Sequence, residues 1–76
     1  MYSLVGIDGN AFSIMGFVIG VMRKERITMD WLDNDQFKKE TDMYMAEATS
    51  GSYDNMLAVS ARMIERINEK IGGQDD

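Results

Sequence analysis

The stripe that most constrains this chain lies near its end. Tyr53, Leu57, Ser60, Ile64, Ile67 and Ile71 recur every three or four residues. Met56 and Met63 widen that stripe. Such spacing belongs to one face of an α-helix and to no strand. Ser52 stands where a helix N-cap is needed, Asp54 falls in the first turn, and Gly72-Gly73 offers a stop. The predicted helix is roughly 28 Å long. It presents one apolar face, so a domain must be built against it.

A second apolar segment, "AFSIMGFVIGVM", covers residues 11–22 and carries no charge. With Asn10 as N-cap it predicts a helix from Ala11 to about Lys24. Arg23, Lys24 and Arg26 lie at its C-terminal end, where cations suit the helix dipole. It is apolar nearly all round, so it is expected in the centre, buried on most sides. Its ridge Ser13, Gly16, Gly20 is small. Each mid-helix glycine costs about 1 kcal/mol against alanine. Close approach of another backbone would offset that, so the ridge is the expected self-association face.

The stretch "GIDGNAF", residues 6–12, joins this helix to an apolar start, "YSLVGI". Asp8-Gly9 is a turn dipeptide and Asn10 caps. A phosphate or cation site there would need several converging groups, and Asp8 would repel phosphate. The tripeptide reads as a corner. Residues 2–7 read as a short strand or extended arm.

The middle segment is less regular. Phe37, Thr41, Tyr44 and Ala48 have helical spacing, which predicts a helix from about 35 to 49. Thr28, or Asp33 with Gln36, could open it. Residues 29–33 are expected to form a short helical turn, and Gly51 a C-cap. The expected fold is therefore mainly α: a small three-helix domain over residues 1–71, with a short N-terminal extended arm or strand. Residues 72–76 are expected to form a disordered acidic tail.

Composition narrows function. At 76 residues the chain is near the size where one core barely outweighs chain entropy, and oligomerisation is a common remedy. It has no cysteine and no histidine, which removes thiolate sites, the usual general base and the commonest nitrogen ligand. Asp33-Asn34-Asp35 fails as a calcium loop, because Lys38 stands at the glycine position and Tyr44 at the last ligand. Asp30, Asp33, Asp35, Glu40, Asp42 and Glu47 could be paired in many ways. Acid–base work needs a pocket that splits the pKa values, and so short a chain has little room for one. No catalytic residue, metal or cofactor is expected. The net charge of −5, with only "RKER" as a diluted basic cluster, disfavours nucleic acid. Arg62, Arg66 and Lys70 are interleaved with Glu65 and Glu69, which fits a wet face with Arg62–Glu65 and Arg66–Glu69 pairs. The uninterrupted apolar run is too short for a membrane span, and positive charge follows it where a signal peptide would put it first. The methionines are expected mainly as core fillers.

Trp31 has two readings. Flanked by Asp30, Leu32, Asp33 and Asp35, it could anchor onto a basic protein surface. Alternatively it closes the small core, which is the usual place for a lone tryptophan in so small a domain.

Two blocks, "LVGIDGNAFSIMG" and "EATSGSYDNML", carry a resemblance. They resemble a family of small uncharacterised proteins of phages and integrated mobile elements. Its members have a Gly-x-Asp-Gly-Asn-Ala-Phe motif and a later Glu-Ala-x-Ser-Gly-Asp-Tyr-Asp-x-Leu segment. The matching positions are Gly6, Asp8, Gly9, Asn10, Ala11 and Phe12, then Glu47, Ala48, Ser50, Gly51, Tyr53, Asp54 and Leu57. Ser52 replaces the family's aspartate. Residues 25–36 look like an insertion, and the family's final apolar strand is missing, which leaves "SLVGI" without an obvious partner. The resemblance implies a phage or mobile-element context and no chemistry. The expected role is that of a non-enzymatic protein in the cytoplasm of the bacterial host, acting by contact with a host or phage protein. The alternatives are a structural homo-oligomer, dimer or higher, and a helical oligomer that sequesters a small ligand.

Overall fold

A computed structural model describes residues 1–73. Three helices follow in order: α1, Ala11–Lys24; α2, Asn34–Ala48; α3, Tyr53–Gly73. The mainly α, three-helix expectation holds. Asn10 caps α1 by accepting a hydrogen bond from the Phe12 N–H at 2.8 Å. Asp33 caps α2 through the Asp35 N–H at 3.1 Å. The Ser52 hydroxyl accepts from the Asn55 N–H at 3.2 Å and opens α3. Each cap satisfies an N–H that the first helical turn leaves free.

α3 is the long element on which both others pack. Its stripe of Met56, Val59, Ser60, Ile64 and Ile67 is buried against Ile14, Val18, Val21 and Met22 of α1 and Tyr44 and Ala48 of α2. Met15, Met22, Met29 and Met56 fill the core, whereas Met43 is exposed. The result is a slab of about 35 × 27 × 15 Å. So thin a body cannot cover both sides of every helix. The outer side of α1 stays bare, which corrects the expectation of a central, largely buried first helix. No other chain segment lies within 4 Å of where a Cβ would sit on Gly16 or Gly20.

Three further expectations are corrected. Among the described residues no strand forms. Residues 4–7 turn back, with the Ile7 N–H donating to the Leu4 carbonyl at 3.2 Å and Gly6 at φ 87°. That φ is open to glycine and costly for other residues. Gly51 is not the left-handed C-cap of α2, since Thr49 fills the cap position. Gly72 and Gly73 do not stop α3 but end it as helical residues. A Cβ on Gly72 would lie 3.5 Å from the Met1 side chain, an ordinary packing distance, so the N-terminus passes close to the end of α3 without requiring glycine there. The rest of the expected tail, residues 74–76, lies outside the described residues.

The N-terminal segment finds its partner on α3. The Asn68 side-chain oxygen accepts the Tyr2 N–H at 2.8 Å, and its amide nitrogen donates to the Tyr2 carbonyl at 2.8 Å. One side chain thus supplies both bonds a neighbouring strand would have made. The Tyr2 hydroxyl donates to Glu25 at 2.6 Å, which raises the Tyr2 pKa above its ordinary value. Glu25 also accepts from Thr28 at 3.1 Å.

Candidate functional site: a bare face on the first helix

The chain between α1 and α2 decides which surfaces are available. Residues 25–29 add one more helical turn, closed by the Met29 N–H donating to the Glu25 carbonyl at 2.9 Å. Asp30 then takes φ 64°. The Trp31 N–H reaches back to the Arg26 carbonyl at 2.8 Å and the Asp30 N–H to the Ile27 carbonyl at 3.0 Å. This bonding pattern is the Schellman motif, with Asp30 where glycine is usual. It reverses the chain and swings Trp31 inward.

Trp31 is 2% exposed. Its ring centroid lies 6.3 Å from that of Phe37, and the Arg66 guanidinium sits 5.6 Å above it. Arg26 locks the exit of the loop, donating to the Trp31 carbonyl at 3.1 Å and to the Asn34 side chain at 3.0 Å while lying over Phe37. The partner-binding constellation of Asp30, Trp31, Leu32, Asp33 and Asp35 is therefore split. Its aromatic member is in the core and unavailable as an anchor. Asp30, Leu32, Asp33 and Asp35 remain at the surface, with Leu32 64% exposed. Asp33 is occupied as the cap of α2. The expected Arg66–Glu69 pairing gives way to an Arg66–Glu40 contact of 3.8 Å. The Arg66 guanidinium thus contacts both the Trp31 ring and the Glu40 carboxylate.

The other proposed face, Ser13, Gly16 and Gly20, is brought together. Phe12, 83% exposed, joins it, as do the half-buried Phe17 and Ile19. From Ala11 to Met22 this outer face carries no charge, and Ser13 is its only polar side chain. One turn further on stands Ile27, 80% exposed. Arg23 and Lys24 lie at that same end. At the opposite end is the exposed Asp8, just before the Asn10 cap. A surface helix normally presents polar residues outward. The apolar outer face of α1 is the candidate contact surface of the molecule.

A second concavity runs along α3 beside the Asn68 clamp. It encloses about 450 Å3 and is lined mainly by Leu4, Val5, Ala61 and Ile64, with Glu65 and Glu69 at its rim. Tyr44 and Ser60 form a buried hydroxyl pair, 2.6 Å apart, and Ser60 also lies 3.6 Å from the Met56 sulfur. Among the described residues no buried side-chain nitrogen or oxygen lacks a partner, and no group of three or more acidic side chains is placed to hold a metal. No helix there is long and apolar enough to cross a membrane.

The Asn68 clamp and the Arg26 bracket escape sequence reading, because both depend on backbone positions far from or reversed within the loop. The Tyr44–Ser60 pair left a trace: each carries a hydroxyl at a position of its helix's buried stripe. No family model, curated protein or solved structure matches the chain.

Proposed function

We propose that this protein is a non-enzymatic interaction protein of phage or mobile-element type, acting in the bacterial cytoplasm by protein–protein contact. The observation that carries the reading is the bare, uncharged outer face of α1 with Phe12 standing out from it. Leaving apolar surface in water costs about 25 cal/mol per Å2, so a protein partner that covers the face gains that back. The family resemblance of residues 6–12 and 47–57 supplies the phage or mobile-element context. The partner in such a context is a host or phage protein or a second copy of the chain.

The test is capture from bacterial lysate with tagged wild-type protein and with a Phe12→Asp/Gly16→Glu variant. Neither position touches the core, so the variant should fold. A defined protein retained by the wild type and lost with the variant is the expected result. If neither a foreign protein nor a second copy of the chain binds in an α1-dependent way, the reading is overturned.

A further inference from the structure

We infer that the outer face of α1 docks against the same face of a second copy, antiparallel, about a two-fold axis beside Gly16. The inference rests on reading that face as a protein-contact surface and names its occupant.

The argument is self-complementarity. A two-fold contact must match a surface to itself. On α1 the protruding residue, Phe12, stands four positions before Gly16, and the hole, Gly20, stands four positions after it. An antiparallel pair centred on Gly16 therefore places each Phe12 ring over Gly20 of the second copy. The charges follow the same symmetry. Arg23 and Lys24 close the C-terminal end of α1, and Asp8 precedes its N-cap. The cationic end of one helix then faces the end of the other that carries Asp8. Helix dipoles also run head to tail in this arrangement. A parallel pair would oppose Phe12 to Phe12 and stack four cations at one end, which disfavours it. Gly16 at the crossing point lets the two backbones approach closely, as small residues do at tight helix crossings. Glycine's cost in the helix interior then has a compensation that the single chain does not provide.

The face belongs to one helix of 14 residues, about 21 Å long. A contact of that size is at the small end for specific interfaces, which fits a micromolar dimer.

The chain has no cysteine, so single-cysteine variants report on register without background. Gly16→Cys should form a disulfide-linked dimer on mild oxidation. Gly20→Cys should not, because the two copies of position 20 are about 12 Å apart along the axis, beyond disulfide reach. Sedimentation equilibrium from 5 to 500 μM should show a monomer–dimer equilibrium. Gly16→Leu should weaken it at least tenfold without loss of helicity, since nothing within the protomer crowds the new side chain. Lys24→Asp should weaken it as well, and Asp8→Lys added to Lys24→Asp should restore it. A monomer at 500 μM overturns the inference, as does equal cross-linking of both cysteine variants. A monomer that still captures a foreign protein through Phe12 would overturn this inference alone and leave the contact-surface reading standing.

Discussion

Trp31→Ala is the most informative single change. Trp31 is 2% exposed and packs on Phe37, with Arg66 above its ring. Truncating a buried aromatic to alanine costs about 3–5 kcal/mol through lost transfer energy and the cavity left behind. The Arg66 contact adds about 0.5 kcal/mol, the low end for a cation that is half exposed. A 76-residue domain has a total stability of roughly 4–11 kcal/mol. The variant should therefore be marginal or unfolded at 25 °C. With a urea slope of about 1 kcal/mol/M for so small a protein, the midpoint should fall by about 3 M or more. The assay must be far-UV circular dichroism, because the change removes the only tryptophan fluorophore. Trp31→Phe keeps a ring in the cavity and should recover about half the loss. A Trp31→Ala midpoint within about 1 M of wild type would refute the burial argument. It would return Trp31 to the surface as an anchor.

Three other outcomes follow from the same structure. Asp30→Gly should raise stability by about 0.5–1 kcal/mol in urea melts, because φ 64° strains a residue with a Cβ; a loss would contradict the Schellman assignment. Ser60→Ala should cost about 2 kcal/mol by leaving the Tyr44 hydroxyl buried without its partner, and Tyr44→Phe should cost less, since Ser60 keeps its contact with Met56. Burial chiefly, partly countered by Ser60, raises the Tyr44 pKa above its ordinary value of 10.0, so its contribution is fully present below about pH 10 and lost as pH rises through the folded value. Tyr44→Phe should accordingly flatten the alkaline limb of the stability–pH curve, as followed by thermal melts from pH 8 to 12. Asn68→Ala should remove both clamp bonds, lower stability by about 1–2 kcal/mol, and abolish hydrogen-exchange protection of the Tyr2 amide while sparing α2 amides.

What could be read before the structure was what local chemistry alone decides. The stripe of α3 and the caps Asn10, Asp33 and Ser52 work within one helical turn, and all lie where spacing put them. The failures share a different cause. α1 was expected in the centre because its sequence is apolar on every side, but periodicity reports which residues avoid water, not which of them find cover inside one chain. With only α3 and α2 to pack against, in a slab 15 Å thick, a 14-residue helix can bury one face. The surplus apolar face is left exposed. The loop failed for a related reason. Of the two readings of Trp31 the core one holds; what sequence does not reveal is the reversal at Asp30 that buries it, because Asp at a left-handed position carries no glycine signal. The N-terminal arm lacked a strand partner in sequence because its partner is a side chain, Asn68, spaced 66 residues away. Local signals decide the helices, while tertiary geometry decides which apolar faces are covered. Trp31 takes the core place expected of a lone tryptophan, and the glycine face of α1 lies outside, where Phe12 and Gly20 stand at equal distances on either side of Gly16.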